Sequence, residues 1–421
     1  MRITPKHVVL SCLLVLCLCS CSIAQAAGQI RSMKLLTADT GWAATDHKLF
    51  WTTDNGSHWK DITPKLNHKR QMVSSVFFLD ASRGWILLHC GDDKDTLVDD
   101  VCFEFASTTD AGGNWSVVHP NIVDPGIDRS NVEDGVGAYS GAAFLNFADT
   151  QHGWAILKKS YNAARSVGEM FRTVDGGRSW IQLAHDTPPI AEHFRFINSR
   201  SGWMTGGPDS QLYVTHDGGD TWRATAVPPR PRRLGPDRGT AYDLPFFTDE
   251  DHGALCARYE TGPELGPVTS TLVLYSTKDE GKTWHESTAV PGLPDNYGPG
   301  LTYPSTITGS ALITAAVSGR QIEIRSAGPG AEQAPQLADM PVRTNHAPVV
   351  SSVSFLDQRE GWVLAGYWIV ATDDGGTTWR NITPEPAETV PPLAFLAPAK
   401  RALLSRFLLH RIALQPAIFT V

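Results

Sequence analysis

The side chains best suited to chemistry in this 421-residue chain are few and scattered. Tyr259 and Glu260 are adjacent, and a tyrosine beside a carboxylate is the nucleophile pair of one glycosidase class. Such a pair needs arginine partners for its substrate, and none can be assigned to it by position. Arg230, Arg232, Arg233 and Arg238 form a basic stretch suited to an acidic partner or phospholipid head groups. The plain alternative is a solvated Pro/Arg linker. Tyr161, Arg165, Tyr242, Arg258, Tyr259 and Tyr297 belong to the types that anchor protein interfaces, although each alone is also an ordinary packing or surface residue. Asp92, Asp93, Asp95, Asp99 and Asp100 offer oxygen ligands to Ca²⁺, but the run lacks the EF-hand spacing and its glycine. A solvated loop is the expectation there. The histidines show no His-x-x-x-His zinc spacing, and no Gly-rich phosphate loop or Ser nucleophile elbow is present. No catalytic residue, metal or cofactor is therefore assigned.

The elements that must position these side chains come from a repeat. Thr-x-Asp-x-Gly-x-x-Trp occurs six times, with its aspartates at Asp54, Asp110, Asp175, Asp217, Asp279 and Asp374. Upstream of each copy lies an apolar strand, a polar turn and then Gly-Trp, as at Gly41-Trp42, Gly84-Trp85, Gly153-Trp154, Gly202-Trp203 and Gly361-Trp362. Gly253-Ala254 is a weakened copy. Alternation such as Gln211-Leu-Tyr-Val-Thr215 reads as strand. Each unit is then strand, turn, strand, loop, strand, box, strand, which is one blade of an all-β propeller. Seven four-stranded antiparallel blades fit between Ile30 and about Pro384. One of them, about 301–340, has lost both signatures. Residues 390–421 start like another blade but lack its Trp and box. They leave open an eighth blade or a closing strand, since an open ring would expose sheet edges.

The box residues have structural work to do. The carboxylate accepts amide hydrogen bonds of its own turn, Gly reaches a positive φ, Thr bonds across the turn, and Trp covers apolar surface between sheets. A carboxylate so engaged has a lowered pKa and makes a poor general acid.

These residues resemble the BNR, or Asp-box, repeat. That family includes sialidases, some glucanases, sortilin-type receptors and exported propellers of the photosystem II stability/assembly factor type. The resemblance covers nearly all of residues 30–385. The pairing of Gly-Trp with the box, as in Phe78-Leu-Asp-Ala-Ser-Arg-Gly-Trp85, looks most like the assembly-factor group. That likeness implies a non-catalytic, protein-binding role. The sialidase Arg-Ile-Pro motif is missing near the start, where Arg31 is followed by Ser-Met. A glycoside hydrolase or carbohydrate-binding propeller is the alternative.

A net charge of −8 argues against a general nucleic-acid binder. Arg2, Lys6 and the apolar run Val8 to Leu18 read as an export signal over residues 1–26. Leu18-Cys19-Ser20-Cys21 fits a lipobox that would end the signal at residue 20 and lipidate Cys21, while Ala24-Gln25-Ala26 fits ordinary cleavage. The periplasm or outer envelope is the expected location, with a lipid anchor as the only membrane attachment. The mature chain from residue 27 to 421 is expected to be one monomeric domain. Cys90 and Cys102 flank a polar loop, where a disulfide is plausible outside the cytosol. Cys256 reads as an inert buried thiol. The long loops at 118–141, 157–169, 227–242, 257–270, 286–300 and 328–349 all belong to the face away from the boxes, which is the expected binding face.

Overall fold

The structure is a computed structural model that describes residues 28–385, except 66–70, 91–102, 119–137, 163–164, 184–192, 207–210, 264–265, 267, 295–302, 329–334 and 345–346. Cys21, the export signal, Cys102, the acidic run Asp92 to Asp100, Tyr297 and residues 390–421 lie outside the described residues.

Seven antiparallel sheets follow one another along the chain. Blade 1 is β1 (Ile30–Leu35), β2 (Gly41–Thr45), β3 (Leu49–Thr52) and β4 (Lys60–Asp61). Blade 2 is β5 (Gln71–Phe78), β6 (Gly84–Cys90), β7 (Phe103–Thr108) and β8 (Ser116–Val118). Blade 3 is β9 (Ala138–Phe147), β10 (Gly153–Asn162), β11 (Arg165–Thr173) and β12 (Ile181–Gln182). Blade 4 is β13 (His193–Phe196), β14 (Gly202–Gly206), β15 (Gln211–Thr215) and β16 (Arg223–Ala224). In blade 5 the innermost strand is broken into β17 (Asp237–Tyr242) and β18 (Phe246–Phe247), both paired with β19 (Gly253–Thr261), before β20 (Thr269–Thr277) and β21 (His285–Pro294). Blade 6, the segment without signatures, still forms β22 (Ser305–Thr308), β23 (Ala311–Ser318), β24 (Gln321–Ala327) and β25 (Gln336–Asp339). Blade 7 is β26 (Val350–Phe355), β27 (Gly361–Ala365), β28 (Trp368–Thr372) and β29 (Arg380–Asn381).

Blade 7 packs directly on blade 1, so the ring closes at seven. Trp362, Ile369 and Ile382 share one buried cluster with Ile30, Met33 and Leu35. The Trp59 indole donates to Ile382 O at 2.6 Å, and the Trp362 indole donates to Asn55 Oδ1 at 2.7 Å. Closure needs no exchanged strand, because blade 1 is complete from its own four strands.

The two sequence signatures meet within each blade and between blades. The glycine of Gly-Trp pairs in register with the box threonine in all six copies: Gly41 with Thr52, Gly84 with Thr108, Gly153 with Thr173, Gly202 with Thr215, Gly253 with Thr277 and Gly361 with Thr372. The glycine is needed because the aromatic ring six residues upstream lies over it. A Cβ on Gly153 would stand 2.3 Å from Phe147, and one on Gly361 would stand 2.3 Å from Phe355. The tryptophan of one blade then stacks on that ring in the next. Trp85 lies 3.7 Å from Phe147, and Trp154 lies 3.5 Å from Phe196 with nearly parallel planes. The indole N–H reaches the next blade's box turn from Trp85 at Gly176 O and from Trp154 at Gly218 O, both 2.8 Å, whereas that of buried Trp42 makes no hydrogen bond among the described residues.

Candidate binding face and central channel

The box turns define one face of the ring. In every copy the Thr hydroxyl donates to Asp Oδ1, as for Thr52 and Asp54 at 2.8 Å. The Thr oxygen accepts the N–H of the box glycine, at 2.9 Å for Gly56. Asp Oδ1 also accepts the amide four residues on, and Oδ2 takes that residue's side chain: His58, Asn114, Ser179, Thr221, Thr283 or Thr378. This donor directly before each Trp is a further point of the repeat. It was legible in the sequence and was missed. Two successive residues sit at positive φ, the second always the box glycine. The turn amide then donates to the first hairpin of its own blade, Asn55 N to Asp39 O at 2.7 Å and likewise in the other five copies.

These bonds set the carboxylates' acidity. The His58 amide holds the Asp54 carboxyl down at about 2. At Asp279 the Thr283 hydroxyl and amide do the same, again to about 2. Burial works to raise Asp217, but the bonds from Thr221 outweigh it and leave it at about 2. Each box is thus an anchored turn with its acid committed.

On the opposite face the blades differ in height. The Gly–Thr pairing pins register at the box end, so any extra strand length projects away from the boxes. Blade 1 pairs β2 with β3 over four positions, from Gly41 to Ala44. Blade 3 pairs β10 with β11 from Gly153 to Asn162, and blade 5 pairs β19 with β20 from Gly253 to Thr261. The added pairs raise each arm by about 15 Å at a strand rise of roughly 3.3 Å per residue. Blade 4, with five-residue strands β14 and β15, lies low between the two arms. Tyr161 lies in β10 and Arg165 opens β11, so both belong to the blade 3 arm.

Blade 5 gathers Arg230, Arg233, Tyr242, Arg258 and Tyr259, of which Arg258 and Tyr259 are buried, Arg230 and Tyr242 half-buried and Arg233 exposed. The Arg230 guanidinium stands 5.0 Å over the Tyr259 ring and bonds Asp237 at 3.1 Å and Gly235 O at 2.9 Å. Arg233 pairs with Glu286 at 2.8 Å, which raises its pKa. Tyr259 and Tyr275 share a hydroxyl bond of 3.0 Å, and the Tyr275 hydroxyl donates to Pro229 O at 2.8 Å. Burial raises all three tyrosine hydroxyls of the cluster, that of Tyr275 to about 12.

Arg258 and Tyr259 were expected as surface anchors, and here the structure differs: they are 2% and 0% exposed. Arg258 forms an internal pair with Glu260 at 2.9 Å and bonds Ser270 Oγ at 2.9 Å. Gly239 on the paired strand makes the room, since a Cβ there would stand 2.7 Å from Glu260 Oε2. A pair this buried holds only while both partners remain. Nor do Tyr259 and Glu260 form the expected nucleophile pair. Neighbours on a strand point to opposite sides, and their side chains are engaged by Tyr275 and Arg258 respectively. Arg232 and Arg238 stay exposed. Cys256 is buried, and burial pushes its thiol well up, as an inert thiol requires. Cys90 ends β6, and its suggested partner lies outside the described residues. Among the described residues no group of three His, Cys, Asp or Glu side chains is placed to hold a metal, and no helix is long and apolar enough to cross a membrane.

The innermost strands enclose a central cavity of about 650 Å³ that sequence reasoning did not populate. Lys34, Asn146, His193, Arg195, Asp243 and Ser305 are among its lining residues. Lys34, Asn146 and Arg195 stand at one repeat position, seven before the Gly of Gly-Trp, where the residue type varies freely. The inner edges are tied blade to blade: Leu35 N to Ser354 Oγ at 3.2 Å, Leu145 N to Ser75 Oγ at 3.0 Å and Phe196 N to Asn146 Oδ1 at 2.7 Å. These bonds occupy N–H groups that an open sheet edge would leave unpaired.

Solved propellers share this fold. A structure described as YCF48 bound to D1 peptide has a TM-score of 0.46 at 16% identity, covering 83% of this chain and 92% of its own. YCF48 from Cyanidioschyzon merolae has a TM-score of 0.44 at 15% identity, covering 75% of this chain and 86% of its own. A GH74 enzyme from Niastella koreensis has a TM-score of 0.28 at 12% identity, covering 86% of this chain and 70% of its own. No family model matches the chain, and no curated protein matches it in sequence.

Proposed function

We propose that this propeller is a protein-binding scaffold, used in assembling a larger complex, that receives its partner on the face opposite the boxes. One observation carries this reading. That face varies most in height, with two arms raised on blades 3 and 5 and a low blade 4 between them. Variable loops held by a rigid frame are where proteins usually place recognition. Exposed Arg238, in β17 opposite the far end of β19 and so at the tip of the blade 5 arm, favours an acidic partner surface, with exposed Arg232 in the segment before it. The box face offers instead the same committed turn six times over.

A photo-crosslinking residue placed at Arg238, at the tip of the blade 5 arm, or at His58, an exposed position on the box face, tests this in cells. A discrete adduct from Arg238, absent from His58, is the expected result. Adducts from His58 alone, or none from either position, would remove the reading. Export belongs to the same proposal and is supported by Arg2, Lys6 and the apolar run that follows. Cys21→Ala, which cannot be lipidated, should release the protein from the membrane fraction; an unchanged distribution would favour ordinary signal cleavage.

A further inference from the structure

Two like charges share the central cavity with little to balance them. Lys34 on β1 of blade 1 and Arg195 on β13 of blade 4 both line it. They stand three blades apart, the greatest separation a ring of seven allows, and so face each other across the axis. Lys34 makes no hydrogen bond or ion pair among the described residues. Its side chain is exposed on the channel side of the ring. Arg195 spends one N–H on Pro245 O at 3.2 Å and keeps the rest of its fork. Asp243, the one carboxylate among the cavity's lining residues, stands on the Arg195 side in blade 5, where it accepts a bond from Ser305 Oγ at 3.2 Å. Asn146 gives its carbonyl oxygen to Phe196 N–H, which leaves its amide nitrogen as a donor.

Electrostatics point the same way. Burial and then the Arg195 charge lower the Lys34 pKa, while burial lowers Arg195 and Asp243 opposes it only in part. In a chain whose net charge is −8, this enclosed region runs against the whole. Cations lining a concave channel with low-dielectric walls concentrate their field on an anion more than the same cations on an open surface.

We infer that the central channel is a binding site for a single carboxylate group, held between Lys34 and Arg195 with Asn146 as a neutral donor. Charge count selects the class. Two cations against the Asp243 carboxylate leave one net positive charge, which a monoanionic carboxylate neutralises and a phosphate dianion would overrun. The rings of Phe77 and Phe196, also in the lining, suit a carboxylate on a short apolar stem, while the Ser305 and Thr306 hydroxyls donate to Asp243 and to Val353 O. The carboxylate is either a free small acid or an acidic side chain carried by a larger ligand. The inference does not depend on the partner proposed for the opposite face.

Calorimetric titration of the whole chain with acetate, N-acetylglutamate amide and N-acetylglutamine amide tests it. Saturable binding of acetate or of the glutamate probe, with none of the neutral glutamine probe, is expected. Acetate binding as tightly as the glutamate probe identifies a free small acid; a clear preference for the glutamate probe identifies a carried side chain. Lys34→Met keeps the stem and removes the charge, and should weaken binding by about tenfold or more, the scale of one charge-assisted hydrogen bond. Lys34→Arg should restore it. Melting temperatures measured alongside should show both variants folded, since the ligand-free Lys34 ammonium holds nothing together. Lack of saturable binding by either acid, equal binding of the glutamine probe, or undiminished binding by a folded Lys34→Met variant would each overturn the assignment.

Discussion

The junction between blades 3 and 4 and the junction between blades 5 and 6 solve one packing problem in two ways. At the first, fully buried Trp154 stacks on Phe196 and donates into the box turn of blade 4 at Gly218 O. At the second, Ala254 stands where that tryptophan would be, and blade 6 has no box to receive one. Ala311 and Leu312 replace its Gly-Trp, and the interface is filled by Cys256, Leu272, Leu274, Val290, Leu312 and Tyr303. Tryptophan and receptor are lost together across this interface, although they belong to different repeats; at the next junction blade 7 keeps its box with no tryptophan arriving from blade 6. Where Trp85, Trp154 and Trp362 reach the next blade's turn, the box is half of an inter-blade lock. Its carboxylate holds the turn that presents a carbonyl oxygen to the neighbour's indole.

The comparison predicts opposite responses to the same residue. Trp154→Ala should cost about 3–5 kcal/mol, the usual range for truncating a buried aromatic. Ala254→Trp should not stabilise its junction. With no turn to accept the indole, it should overpack the aliphatic filling and cost about 1–3 kcal/mol. Urea unfolding of the two variants measures both, and a stabilising Ala254→Trp would break the comparison.

Acid should act on the boxed blades and leave blade 6 aside. Asp54, Asp217 and Asp279 are held near 2 in the folded chain against an ordinary value of 3.8. Folded carboxyls with depressed pKa values contribute stability that is fully present above 3.8 and is lost as pH falls toward about 2. Urea midpoints measured from pH 5 to pH 2 should fall within that window. Replacing the three aspartates by asparagine should flatten the fall; an unaltered slope would show that other groups drive acid unfolding.

The smallest effect concerns backbone strain. Box turns need two successive positive φ angles, and three copies use Gly-Gly for them. In blade 2 the first position is Ala111, at φ 56. Ala111→Gly should raise stability by about 0.5–1 kcal/mol, because relief of a left-handed alanine slightly exceeds the entropy lost with glycine. Thermal melts resolve a shift of that size.

Sequence alone exposed the blade count, the strand order and the role of the box, because all three depend on residues repeated at fixed spacing. The failures share a physical cause. Arg258 and Tyr259 looked like interface anchors, yet their burial depends on Gly239 in another strand and on Tyr275 across the hairpin. No local pattern reports such partners. Lys34 and Arg195 were passed over because the channel is assembled from one residue per blade, at a position where the repeat imposes no type. The donor before each tryptophan was visible but varies among His, Asn, Ser and Thr. It becomes a rule only once Asp Oδ2 is seen to need a hydrogen-bond donor of any kind.

The lock between a tryptophan and the next blade's box is tested most directly by a double-mutant cycle pairing Trp154→Phe with Asp217→Ala, read by urea unfolding. If the box turn holds the acceptor for the indole, losing either should make losing the other cheaper, with a coupling of about 0.5–3 kcal/mol. Costs that add to within about 0.3–0.5 kcal/mol would mean that the two signatures act independently, and the account of the box as an inter-blade lock would fail.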